Sequence, residues 1–199
     1  MHVHRLGRTR TASLALVLVV ALSGWGGLSA SDWKDVFGGQ GLGGWVSMHE
    51  ARFQPAEGGV QLAGGVGWLR SDREYGDFEF ECEVRPRVER YDSGLIFRAG
   101  LEGKPWPTEY WLVNLRRDMW GTLVKGTKRV ALSTAEGPDI EDETPWTRLK
   151  LTVKGAKAAL ELSGKLAWEF DGIDRARGYV GIQAEERAFD FRKVRIREL

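Results

Sequence analysis

The chain has 199 residues, with 29 Lys plus Arg against 28 Asp plus Glu and a formal net charge of +1. So even a balance gives no electrostatic footprint for nucleic acid, and no nucleic-acid partner is expected. One cysteine, Cys82, excludes an intramolecular disulfide, and three histidines, two of them His2 and His4, leave no basis for the usual zinc ligand sets.

The first thirty residues read as a leader. Arg5, Arg8 and Arg10 precede an apolar run over residues 12–22, and Ser23, Gly24, Gly26, Gly27, Ser29 and Ala30 follow it. This is the basic, apolar and small-residue order of a secretory signal peptide, with an apolar run too short to span a bilayer. Cleavage is expected between Leu28 and Asp32, with no cysteine nearby to take a lipid. The mature domain, residues 31–199, is expected to be secreted or periplasmic, without stable membrane insertion. Losing three arginines and no acid takes its net charge to −2 and leaves His49 as its only histidine. Its chemistry must come from carboxylates, arginines, amides and aromatics, and no metal or cofactor is expected.

After residue 30 no segment shows a long helical period. Short apolar alternations separated by turn residues predict strands over 59–62 and 67–71, flanking a Gly64-Gly65 turn. The next predicted strand covers 78–85. There Phe78, Phe80, Cys82 and Val84 share one face and Glu79, Glu81 and Glu83 the other, so three like charges stand together and need partners. Further strands are predicted over 94–99, 110–116, 122–125 and 148–154, with a polar, acidic loop over 131–145. Residues 158–162 and 166–170 form a hairpin around Ser163-Gly164-Lys165, and 178–184 and 189–197 complete the set. Between Phe191 and Val194 the apolar parity slips, which predicts a β-bulge at Arg192-Lys193. The fold class is all-β: a two-sheet antiparallel sandwich of jelly-roll type. The last strand is expected beside residues 78–85. Its Arg195 and Arg197 would neutralise Glu79 and Glu81 and leave Glu83 nearer a groove.

Four stretches, in order, resemble the motifs of one family: VFGGQGLGGW (36–45), YGDFEFECEVR (75–85), DSGLIFRAG (92–100) and GYVGIQAEERAFDFRKVRIREL (178–199). The chain is similar to the 3-keto-disaccharide hydrolase domain family over its whole mature length. The resemblance implies a concanavalin A-like jelly roll and a carbohydrate or glycoside ligand. It also implies cleavage of glycosidic bonds in sugars oxidised at carbon 3, by hydrolysis or by elimination and hydration. A 3-keto group acidifies the C2 proton, so a base, an oxyanion stabiliser and a leaving-group acid suffice. The chain departs from the family pattern at three places: Glu185 stands where the family carries His, Leu112 where it carries Glu, and Asp92 where it carries Asn.

Glu83 and Glu185 are the candidate bases, and Arg98, at the end of an apolar strand, is the candidate oxyanion stabiliser. Asn114 and Gln183 can each donate to and accept from sugar hydroxyls, and Trp120, beside Gly121, is the candidate stacking platform. Cys82 reads as a core residue. The E-x-D-x-x-E strand of laminarinase-type glycosidases, which share the fold, is absent. Two other functions fit the same sandwich: a non-catalytic carbohydrate-binding module, and a structural envelope or interaction protein.

Overall fold

The computed structural model describes residues 32–37, 41–141, 143–186 and 188–199; the predicted leader, residues 1–30, lies outside this set. The described residues form two antiparallel sheets, with strands numbered here in chain order. The first contains β1 (Lys34–Asp35), β3 (Arg52–Ala56), β4 (Gly59–Gly64), β6 (Phe78–Pro86), β11 (Thr147–Lys154), β12 (Lys157–Leu162), β13 (Lys165–Asp171) and β15 (Phe189–Glu198). The second contains β2 (Trp45–His49), β5 (Val66–Ser71), β7 (Ser93–Ala99), β8 (Trp111–Asn114), β9 (Thr122–Lys125), β10 (Lys128–Ala131) and β14 (Tyr179–Glu185). A 3-10 turn, Arg117–Met119, follows β8.

The first sheet runs β13-β12-β11-β6-β15-β4-β3, with β1 against β15; the second runs β10-β9-β8-β7-β14-β5-β2. The predicted sandwich is therefore the observed architecture. Its core lies between the sheets. Phe78, Phe80, Cys82 and Val84 of β6 face Leu95 and Phe97 of β7 and Ile182 of β14 in one buried cluster. Burial pushes the Cys82 thiol far above its ordinary range, which makes it inert packing.

Turn chemistry explains two connections. Leu162 pairs with Lys165 across Ser163 and Gly164, both at positive φ (48° and 79°), as a two-residue hairpin requires. The Gly64-Gly65 link behaves otherwise. It carries the chain from β4 in one sheet to β5 in the other. A Cβ on Gly65 would stand 1.8 Å from the Glu50 carbonyl oxygen, so only glycine passes there.

The glutamate face of β6 is resolved by its neighbours. β15 pairs antiparallel with β6, with Arg195 opposite Glu81, Arg197 opposite Glu79, and a register shift between Arg192 and Arg195. Lys193 sits in that shift at φ 50°, the expected bulge. Arg197 Nε donates to Glu79 at 2.5 Å and Arg195 Nε to Glu81 at 2.6 Å. From β11, Lys150 reaches Glu79 at 2.9 Å and Arg148 Nε reaches Glu81 at 2.5 Å. Glu83 lines a groove of about 530 Å³ on this face together with Glu81, Arg148, Lys193 and Arg195, but it is not left free there. Arg192 Nε holds it at 2.6 Å and Lys193 Nζ at 2.7 Å, because the bulge delivers two cations at that level. Burial raises all three carboxyls, but the hydrogen-bonded cations outweigh it and hold each below the usual carboxylate range. The Trp33 ring lies 4.6 Å from the Arg195 guanidinium, and Trp146 lies 4.0 Å from that of Arg192.

Candidate functional site

The outer face of the second sheet has a different chemistry. Val180, Ile182 and Ala184 of β14 point into the core, so Gly181, Gln183 and Glu185 point outward. Cross-strand pairing aligns Gln183 with Gly94 and Gly94 with Asn114; the next level aligns Gly181, Ile96, Leu112 and Val124. Ile96, Leu112 and Val124 join Trp68 and Ala99 in a small buried cluster outside the main core, packed on by Met48, Trp106, Tyr110 and Tyr179. With Leu112 at its middle, this face is apolar at its centre. Asp92, Arg116 and Glu185 gather at one end.

That end forms a cleft of about 860 Å³, lined among others by Tyr91, Asp92, Trp106, Arg116, Arg117 and Glu185. Asp92 immediately precedes β7, whose first residue Ser93 pairs with Ala184, and Ser93 Oγ donates to the Gln183 carbonyl at 2.7 Å. This clasp brings Asp92 beside the end of β14, where Glu185 emerges. Gln183 Nε2 donates to Glu185 Oε2 at 3.1 Å. Gln183 is 4 % exposed, and a Cβ on Gly94 would come 3.2 Å from its Oε1, so the amide occupies space that only glycine opens. Gln183 Oε1 and Asp92 Oδ1 are buried without a hydrogen-bond partner among the described residues. Buried acceptors of this kind are costly unless a ligand, a water or a proton satisfies them.

Burial first, then the Glu185 charge, pushes the Asp92 carboxyl up to about 7, with Arg116 pulling the other way. Glu185 is raised by burial and lowered in part by Arg116. Tyr110 is raised by burial and by Glu185. Two carboxyls in one cleft, both pushed up, one partnered and one orphaned, are equipped to divide acid and base roles near neutral pH. Arg116 is drawn sideways instead. Asp118 takes its Nε at 2.5 Å and its Nη2 at 2.8 Å, while its backbone N–H donates to Asn114 Oδ1 at 2.7 Å. Trp106 offers a ring at the cleft wall, its indole N–H donating to the Ala184 carbonyl at 3.4 Å.

The raised Asp92 has a consequence for stability. Relative to the ordinary value of 3.8, a folded value near 7 means the native state holds this proton more tightly. The stabilising contribution is complete below about pH 4 and is lost as pH rises through 7. Asp92→Asn is therefore expected to raise the melting temperature by a few degrees at about pH 8 and by little or nothing at about pH 4. Equal shifts at both pH values would contradict the assignment.

Of the residues singled out in the sequence, Glu185, Gln183 and Asn114 meet at or beside this cleft. The other three lie elsewhere. Glu83 is on the outer face of the opposite sheet, in the ion-pair ladder. Trp120 is 2 % exposed, its ring in T-shaped contact with Tyr91 (5.6 Å) and stacked on Phe189 (6.4 Å), so no sugar reaches it. Arg98 leaves the face its parity predicts because its φ is 52°. Its buried guanidinium donates to the Tyr75 and Gly76 carbonyls at 3.2 and 2.6 Å, to that of Ala176, and to Asp77 at 3.3 Å. Asp92 and Trp106 join the site instead; the trace in the sequence was an acid directly before the Ser-Gly that opens a strand. Among the described residues no group of three or more His, Cys, Asp and Glu side chains is arranged to hold a metal ion.

The model of the 3-keto-alpha-glucoside-1,2-lyase-like domain matches residues 32–197, and the chain belongs to that family. No curated protein matches it. Among solved structures it is similar to a provisionally assigned glycosyl hydrolase of Parabacteroides distasonis ATCC 8503, at 19 % identity and a TM-score of 0.64 over 85 % of this chain and 100 % of that one. It is also similar to the carbohydrate binding module CBM66 of Bacillus subtilis, at 17 % identity and a TM-score of 0.61 over 76 % and 93 %. A Bacillus subtilis protein of unknown function with a galectin-like fold aligns at 13 % identity and a TM-score of 0.62 over 77 % and 89 %. At these identities the likeness is one of fold.

Proposed function

We propose that the domain cleaves glycosides oxidised at carbon 3, by elimination across C1 and C2, in the cleft of Asp92 and Glu185. The observation that carries this is the pair itself: two carboxyls raised by burial in one cleft, in a member of a family described by that reaction. Glu185, whose carboxylate accepts the Gln183 N–H, is the base. It takes the C2 proton, and the C2–H electrons become the enolate of the 3-ketone. The enolate re-forms the carbonyl as the C1–O bond breaks, leaving a C1–C2 double bond. Asp92, the more strongly raised of the two, supplies the proton that leaves on the departing oxygen. Arg116, held by Asp118, offsets charge at the pair through space without leaving that partner. Gln183, Asn114 and Trp106 are the sugar-contacting groups.

The test compares a 3-keto glycoside with its unoxidised parent. Aglycone release from the first and none from the second is expected, because only the ketone acidifies C2. Equal release from both would overturn the mechanism. The likeness in fold to a carbohydrate binding module supports a second reading, a sugar-binding domain without turnover. Sugar-induced change in tryptophan fluorescence with no release from either glycoside would favour it.

The predicted leader implies that this activity lies outside the cytoplasm. Mass spectrometry of exported protein is expected to find an N-terminus between Ser29 and Trp33, which keeps the Trp33 ring over Arg195 and Arg197. A protein retaining Met1 in the membrane fraction would exclude export with cleavage.

A further inference from the structure

The charge around the cleft constrains its ligand. Beyond Asp92 and Glu185, five carboxylates line it: Glu89, Asp118, Glu136, Asp139 and Glu186. Against them stand the arginines Arg90, Arg116 and Arg117. Two of those are committed, Arg116 to Asp118 in a two-pronged pair and Arg117 to Asp139. Both pairs are exposed, so an anionic ligand would have to compete with Asp118 and Asp139 for these guanidinium groups. Glu89, Glu136 and Glu186 then add to the central pair with Arg90 alone to offset them. Arg187 lies outside the described residues, and its single charge would not reverse the sign. The cleft thus carries a negative potential, which its partly enclosed walls sharpen.

We infer that the cleft selects uncharged glycosides and rejects uronides, sugar phosphates and sulfated sugars at both the sugar and the leaving-group side. The inference rests on the cleft being the sugar site. Its basis is the committed state of the two arginines and the three additional carboxylates, independent of which residue moves a proton. Asp118 and Asp139 act in specificity by occupying guanidinium groups that would otherwise welcome anions.

Binding, rather than turnover, is the measurement, made on the full mature chain by calorimetry with a neutral disaccharide, the matching disaccharide ending in a uronic acid, and glucose 1-phosphate. At low ionic strength the two anionic probes are expected to bind at least about tenfold more weakly than the neutral one. The gap should narrow to about threefold or less in ~0.5 M salt, where screening acts over a few ångströms. The double variant Glu136→Gln, Glu186→Gln, which touches neither carboxyl of the pair, should close part of the gap at low salt and leave neutral-sugar affinity within about twofold. Anionic probes binding as tightly as the neutral one would overturn the inference and leave the site standing. Absence of binding by all three, with the fold intact by circular dichroism, would overturn the site and the inference together.

Discussion

Glu185→Gln lowers turnover of a 3-keto glycoside by about 10²–10⁴-fold, the usual contribution of a positioned base, while sugar affinity changes little. The amide keeps the size of the carboxyl and can still meet the Gln183 side chain, so the loss falls on kcat rather than KM. Asp92→Asn gives a loss of similar size for a different reason, since the leaving oxygen then departs without a proton. The two differ in pH dependence. In the native protein the rate should decline as pH rises through about 7, where Asp92 loses its proton. Asp92→Asn should remove that decline from what activity remains. Glu83→Gln, in the ladder on the opposite sheet, is expected to leave turnover within about threefold. Stopped assays on the three variants decide the matter: full activity in Glu185→Gln, or a large loss in Glu83→Gln, would move the chemistry away from this cleft.

Arg98→Met unfolds the domain more readily instead of disabling its chemistry. The guanidinium joins four carbonyls, those of Tyr75, Gly76, Ala176 and Gly155, and the Asp77 carboxylate where the segments around residues 75–77, 155 and 176 meet the end of β7. Methionine fills much of the volume but donates nothing; the Tyr75 carbonyl keeps the Gly178 N–H, but a buried carbonyl left without a partner costs about 1–3 kcal/mol. Asp77, about a third exposed and still accepting the Gly155 N–H, is left with solvent to fall back on, so the loss comes mainly from the unpaired carbonyls and the lost packing. Urea titration should show a midpoint well below that of the native chain with the same slope. A variant of native stability with lost turnover would restore Arg98 to the reaction.

The strands that could be read in the sequence are those with one buried face. In β11 and β12 the alternation in burial matches the alternation in the letters, whereas in β6 the letters alternate although Glu79 and Glu81 are themselves buried under their cations. β2, β3 and β10 went unread because they lie at or near sheet edges with little buried, so no apolar period marks them. The position of β15 was legible from charge, since three glutamates on one strand face require cations on a neighbour. The site was less legible. Parity places Gln183 and Glu185 together on β14 but fails at Arg98, where a non-glycine residue takes a positive φ that no letter announces. Trp120 shows a different limit. An aromatic beside a glycine reads the same whether its ring meets a sugar or, as here, Tyr91 and Phe189. Asp92 depends on a clasp between β7 and β14, strands about ninety residues apart in sequence, as Ser93 and Gln183 show.

The positions of β14 and β15 have a kinetic meaning. Each is an interior strand: β14 separates β7 from β5, and β15 separates β6 from β4. Until both have left the ribosome, each sheet exists only as two unjoined pieces with bare edges. Neither the carboxylate cleft nor the glutamate ladder can assemble before then. A chain built this way cannot complete either sheet until almost its entire length is available. It then closes late, through contacts far apart in sequence, which makes slow folding the expected behaviour and exposed strand edges the hazard during the wait.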